Sequence, residues 1–369
     1  MNKAVRIFKD WMLPLAIVTG ISLYLFYHFT PFLKPWGNVL HKVASEGQRL
    51  IIAVLLFFQF VQISPHDIRL HRWHLWALLF QVLSFLLFAG LSVITPEGPG
   101  RILLECAMIC LICPCAAAAG VITRKLDGDL AATVSYMCLT NLAATFLIPM
   151  VIPMIRPASD LGFWAYVLRI ALKVFPILVL PGLLAWTIRY TTHRLQRKLM
   201  RFAPNSFYIW FFGLTLAMVL ATHALFMNYP GAAALAGIVG VSVVTCFLQF
   251  FAGRRIGKGR VDSITAGQAL GQKNTGFLIW LGYNYLTPVT SVAGGLYAIW
   301  QNLFNSWELY EHEHRKAAIS SSGSTPPAGR SRKHGPLRYR RISPSSPDTS
   351  SPVSHPSSDG RGACRSGWR

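Results

Sequence analysis

The stretch "ALGQKNTGFLIW", residues 269–280, decides how this chain is read, because a lysine stands in the middle of an otherwise apolar or amide-rich run long enough to enter a membrane. A lysine at the centre of a bilayer costs about 2.5–3.5 kcal/mol on insertion scales, so Lys273 needs either a partner or a task. Gly267, Gly271 and Gly276, with an amide cluster between them, mark a helix that is interrupted there.

The rest of the chain is composed as a membrane protein. Of 369 residues, 53% are hydrophobic and 13% charged, and the mean hydropathy is +0.42, outside the range of ordinary soluble domains. Broken at its polar, Pro and Gly clusters, the sequence gives about ten spans, near residues 11–30, 40–63, 73–95, 102–126, 130–155, 163–189, 205–227, 231–253, 261–283 and 286–307. The N-terminal apolar run has no small-x-small cleavage site before "TPFLKPW" and is read as a retained first span. Residues 1–314 thus form a transmembrane domain, and 315–369 form a basic Ser/Pro/Arg-rich tail that cannot bury a core and is expected to be disordered.

Charge supports the count. The net charge is +21, to which the tail contributes eleven Lys/Arg against two Asp. In the body, one side carries Lys3, Arg6 and Lys9; Arg69 and Arg72; Arg124 and Lys125; Arg189, Arg194, Arg197, Lys198 and Arg201; and Arg254, Arg255, Lys258 and Arg260. The other side carries fewer, chiefly Lys34, Lys42, Arg49, Arg101 and Arg156, so an even number of spans with both termini in the cytoplasm satisfies the positive-inside rule. The same rule accounts for the basicity without nucleic acid, for which the tail offers no module. The cysteines lie mostly inside spans and imply no disulfide framework.

Two spans are unlike the others. The fourth, "ECAMICLICPCAAAAGVITRKLDGD", has Pro114 at mid-depth and small residues up to Gly120; the ninth has Lys273 and its glycines. Fourth and ninth correspond if residues 11–155 and 163–310 are two five-helix halves, and an odd number of helices in each makes the halves inverted. Paired interruptions of this kind point to a transporter's binding site.

From the fourth span onward, "CPCAAAAGVITRKLDGDLAATVSYMCLTNLAATFLIP", together with "ALGQKN" in the ninth, resembles the bile acid:sodium symporter family over residues 10–310. The resemblance implies an all-α membrane fold of ten helices in two inverted five-helix repeats, with broken, crossing fourth and ninth helices. It also implies secondary active transport of a small organic anion by alternating access. The family's sodium ligands are replaced here: the Ser-Asn pair falls on Ala119 and Gly120, the fifth-span hydroxyls on Thr133 and Met137, the Glu on Ala269 and the Gln on Lys273. Gly271, Asn274 and Gln81 match. A hard cation needs several oxygen ligands, and most have gone. The expectation is that the Lys273 ammonium takes the place of a sodium ion, held by Gln81, Asn274 and freed carbonyls.

The expected substrate or ion site is therefore Lys273, Asn274, Gln272, Gln268, Thr275, Gln81 and Thr133, with helix breaks at Pro114, Gly120 and Gly271. Structural pairing of Lys273 at the crossing competes with a role in anion binding or coupling, and helix-to-helix bonding of the amides competes with ligand contact. Cys110 and Cys113 lie three apart on one helical face, which keeps export of arsenite or another metalloid as an alternative to their being buried small hydrophobes. Glu46 with Arg49, and Arg101 with Glu105, have the spacing of local helix pairs. No nucleophile-base pair, phosphate loop or metal-spaced cluster occurs, so a membrane-embedded enzyme is the alternative from another class. No cofactor or metal is expected; the coupling ion is left between sodium and proton. The implied partners are a small organic anion and the lipid bilayer of the cell membrane.

Overall fold

A computed structural model of the chain describes residues 3–158 and 160–321. The tail predicted from residue 315 is corrected at its start, where residues 315–321 continue the last helix; from residue 322 on, Cys364 with it, it lies outside the described residues, as do the side chains of Lys3, Arg6 and Lys9. The described chain is helical, in the order α1 (Lys3–Phe29), α2 (Gly37–Val61), α3 (Arg72–Ile94), α4 (Pro99–Ile112), α5 (Ala118–Lys125), α6 (Leu130–Ile155), α7 (Phe163–Leu178), α8 (Leu180–Thr191), α9 (His193–Phe202), α10 (Ser206–Met227), α11 (Ala232–Ile256), α12 (Gly259–Gly271), α13 (Thr275–Tyr285) and α14 (Ser291–Ser321).

Among the described residues, five segments are long and apolar enough to cross a membrane: Pro31–Val61, Arg72–Ile94, Leu130–Ile155, Tyr208–Met227 and Ala232–Ile256. A sixth joins α7 and α8, which meet at a 41° bend where Pro181 opens α8. The other four expected spans differ for physical reasons. The apolar part of the first is only Pro14–Phe29. The fourth and ninth are each divided into two short helices. The tenth, α14, carries buried polar side chains at helical spacing, Gln301, Asn305, Glu308 and His312.

The helices pack around the broken pair. α3 lies against both α4 and α12, α11 lies against both α12 and α4, and on the far side α1 packs on α10 and α2 on α8. Backbones approach closely where side chains are missing. A Cβ on Gly253 of α11 would come within 2.3 Å of the Ala266 carbonyl of α12, and one on Gly271 within 2.3 Å of the Phe250 ring. Small residues at such contacts are what permits tight helix association inside a bilayer.

The basic loops gather at one end. Arg69 N donates to Ser135 Oγ (2.8 Å), Asp129 N donates to Thr265 Oγ1 (2.9 Å), and Lys316 Nζ lies 2.8 Å from Asp127 Oδ2. The hydrogen bond from Lys316 holds the Asp127 carboxyl below the usual carboxylate range. At the opposite end Glu105, fully buried, accepts from Arg156 Nε (2.8 Å) and from the Thr287 backbone N–H (3.0 Å). The predicted i,i+4 pair of Arg101 with Glu105 is present at 3.8 Å, and the C-terminal end of α6 adds the closer contact of Arg156 to the same carboxylate (2.7 Å), while Arg101 Nη1 also reaches Glu97 at 2.8 Å. Glu46 and Arg49 pair at 2.5 Å as their spacing predicts.

Overpacking a close contact costs about 1–3 kcal/mol. Gly253→Ala is therefore expected to lower the melting temperature of the detergent-solubilised protein, whereas Gly240→Ala, whose added methyl meets nothing within 4 Å, leaves it unchanged or slightly raised.

Candidate functional site

The two interruptions meet. The first spans residues 113–117, where Pro114 has no N–H to continue the ladder of α4; the second spans residues 272–274, between α12 and α13. They run antiparallel: Ala116 N donates to Gln272 O (2.9 Å) and Asn274 N donates to Pro114 O (2.9 Å), with Cys115 and Lys273 face to face between them. Cys113 Sγ adds a bond to Asn274 O (3.1 Å). Two side chains complete the crossing, since Thr140 Oγ1 accepts from Cys115 N (3.2 Å) and Gln301 Oε1 accepts from Lys273 N (2.9 Å). Backbone that leaves helical geometry at membrane depth is tolerated only where its polar groups find such partners.

Lys273 is 1% exposed. Its ammonium donates to Gln81 Oε1 (3.1 Å), the same oxygen that accepts from Tyr136 OH (3.0 Å), while Gln81 Nε2 donates to the freed carbonyls of Ile112 (3.0 Å) and Cys113 (3.4 Å). The partner of the charge is thus an amide oxygen at the C-terminal end of α4, where the helix dipole is negative. A second glutamine–tyrosine pair links the two breaks: Gln249 Nε2 donates to Cys110 O of α4 (3.1 Å) and lies 3.0 Å from Tyr297 OH, and that hydroxyl donates to Gly271 O (2.7 Å). A third chain of bonds runs from Gln272 to Gln268, from Gln268 Nε2 to Glu308 Oε2 (2.6 Å), and from Glu308 to Arg254.

Beside the crossing lies a cavity of about 620 Å³. Ile52, Leu56 and Leu214 form an apolar wall and Gln272, Asn274, Thr275, Gln301 and Asn305 a polar one; Lys125 and Gln62 line it toward the end that carries the basic loops. Lys273 also lines it, but the Gln81 that holds the ammonium does not. Gln48 Oε1 and Asn305 Oδ1, both on buried lining residues, have no hydrogen-bond partner.

Of the predicted site residues, Lys273, Asn274, Gln272, Gln268 and Thr275 gather at the second break and Gln81 joins them. Three assignments are corrected. The Asn274 side chain caps α13 by accepting from Phe277 N (3.2 Å) and does not hold the ammonium. Thr133 lies in the first turn of α6, bonded to Asp129 O (2.9 Å) and Thr123 Oγ1 (3.2 Å), away from the Lys273 cluster. Gly120 is inside α5, where the Leu130 side chain fills the space of its missing Cβ, so the first break ends before it. Sequence reasoning passed over Tyr136, Gln249, Tyr297, Gln301 and Glu308. The signal for the α14 members was present in the spacing of Tyr297, Gln301, Asn305, Glu308 and His312 along one face.

The six described cysteines are free, and among the described residues no group of His, Cys, Asp or Glu is arranged to hold a metal. Residues 49–228 match the model of the sodium bile acid symporter family. That match supports membership of the sodium bile acid symporter family. Membership indicates a membrane transporter of the bile acid/sodium symporter type. No curated protein matches the chain. The family match runs from α2 through α10, so it includes Gln81 and the first break and stops before Lys273.

Removing one partner of a charge-assisted hydrogen bond costs about 1.5–3 kcal/mol. Gln81→Leu should therefore destabilise the purified protein markedly, and the double variant Gln81→Leu/Lys273→Met should melt above the single one, because it no longer buries an unpartnered ammonium.

Proposed function

We propose that the chain is a secondary active transporter of a small organic anion, working by alternating access around the crossing of its two broken helices. In this reading the membrane domain, residues 1–314, makes ten crossings in two inverted halves, 11–155 and 163–310, with both termini in the cytoplasm, and an appended tail follows α14. The observation that carries it is the reciprocal exchange of backbone bonds between the breaks beside a polar cavity.

Correspondences between the halves support the inversion. Glu105, seventh residue of α4, accepts from the N–H of Thr287 ahead of α14; Thr265, seventh residue of α12, accepts from the N–H of Asp129 ahead of α6. Tyr136 and Tyr297 are each the seventh residue of their helices, and each is hydrogen-bonded to a glutamine, Gln81 of α3 and Gln249 of α11. The packing of α3 on α4 and α12 is matched by that of α11 on α12 and α4.

The cavity favours an anion. Among the described residues its lining has Lys125 and no carboxylate, and α5 and α13 present their N-terminal ends to it through Ala118 and Thr275. The coupling is not to sodium in this reading. Lys273 stands where the family's glutamine ligand falls, and its ammonium engages Gln81, so a tethered charge takes the place of a dissociable ion.

Thermal melting of the purified protein in sodium against potassium tests the coupling. Sodium should leave the wild type unmoved and stabilise Lys273→Gln; stabilisation of the wild type by sodium overturns the tethered-charge reading. Counterflow of radiolabelled organic anions in vesicles tests the transport reading itself, which fails if no anion exchanges.

A further inference from the structure

We propose that α9 is a docking surface for the headgroups of anionic phospholipids, a role that goes beyond the transport reading and does not rest on it. The helix, "HRLQRKLMRF", carries Arg194, Arg197, Lys198 and Arg201 and no acidic residue. Among the described residues none of these cations enters an ion pair.

The arrangement around the helix axis is what distinguishes a lipid surface from a merely solvated one. At about 100° per residue, Gln196, Leu199 and Met200 share one face. They are its half-buried residues, and Leu199 and Met200 pack against the core, so this face is turned to the protein. The opposite face holds Arg194, Lys198 and Arg201, all exposed. Between the two faces, on one side, lie Leu195 and Phe202, which are 41% and 46% exposed although apolar. On the other side lie His193 and Arg197. A helix lying flat at the membrane surface beside a protein needs this order: protein on one face, acyl chains beneath Leu195 and Phe202, headgroups against Arg194, Lys198 and Arg201. Leu195 and Phe202 give the basic face the apolar edge that seating at the headgroup–acyl boundary requires.

Position agrees with the pattern. α9 connects α8 and α10 at the end where the basic loops gather; the Phe202 ring lies 5.3 Å from that of Phe58 near the end of α2, and Tyr190, in the last turn of α8, is 52% exposed beside it in sequence. Clustered Lys and Arg at a leaflet surface attract anionic lipid. The chain leaving α9 enters the cavity lining within a few residues, at Ala203 and Ser206, so a lipid held on α9 stands next to the cavity.

The test uses the full chain in a neutral detergent, titrated with mixed micelles of phosphatidylglycerol or of phosphatidylcholine while its melting temperature is followed. Phosphatidylglycerol should raise the melting temperature and phosphatidylcholine should not. The variant Arg194→Gln/Lys198→Gln/Arg201→Gln should lose most of that shift, while Arg255→Gln/Lys258→Gln/Arg260→Gln, on a neighbouring basic loop, keeps it. The proposal is overturned if the α9 variant retains the full shift, if the loop variant loses as much, or if inorganic phosphate reproduces the effect. Should the triple variant not fold, Arg194→Lys/Arg201→Lys keeps the charge and must keep the shift; its loss there overturns the proposal too. The readout is lipid stabilisation without transport, so its result is independent of whether any anion is carried.

Discussion

The fold depends on one exchange of hydrogen bonds. Two segments that cannot remain helical lie antiparallel at the centre of the protein, and each closes the other's backbone groups, Ala116 to Gln272 and Asn274 to Pro114. A buried peptide group left without a partner is expensive, more so where no water reaches it. Neither break is viable alone. The packing of α3 and α11 against both broken helices follows, because those helices deliver Gln81 and Gln249 to the carbonyls that the breaks release.

Burying an ammonium in this setting is made tolerable by geometry more than by counter-charge. Lys273 meets no carboxylate at its bonding distance; it meets the oxygen of an amide whose N–H groups are already committed to Ile112 and Cys113, which polarises that oxygen toward the charge. Tyr136 donates to the same oxygen and fixes its position. The carboxylates are kept elsewhere, Glu105 with Arg156 at one end and Glu308 with Arg254 toward the other, each inside a network of its own.

How much of this was legible beforehand can be argued from particular residues. Pro114, Gly271 and the amides beside Lys273 announced two breaks, because helix breakers in an apolar run have few other uses. Gln81 as partner of the ammonium was legible only through the family resemblance, and the structure bonds the two. What local pattern could not give is which of two neighbouring polar groups turns inward: Asn274 serves its own helix as a cap, and Thr133 bonds within its own turn, both short-range alternatives open to such side chains. The Glu105 to Arg156 contact was hidden for another reason. Its members are far apart in sequence, while a nearer arginine sat at ideal helical spacing.

The two breaks are alike in backbone but not in charge: where one presents Lys273, the other presents Cys115. In the proposed frame of inverted halves, a perfectly matched pair would give mirror-related open forms of equal energy, and neither side would be preferred at rest. A single fixed cation removes that degeneracy. Lys273 lies in the second of the proposed halves and Gln81 in the first, so the ammonium adds a charged tie across the crossing beside the two backbone bonds. In that frame the two open forms would differ in energy, because the charge sits on one side of the pseudo-symmetry only.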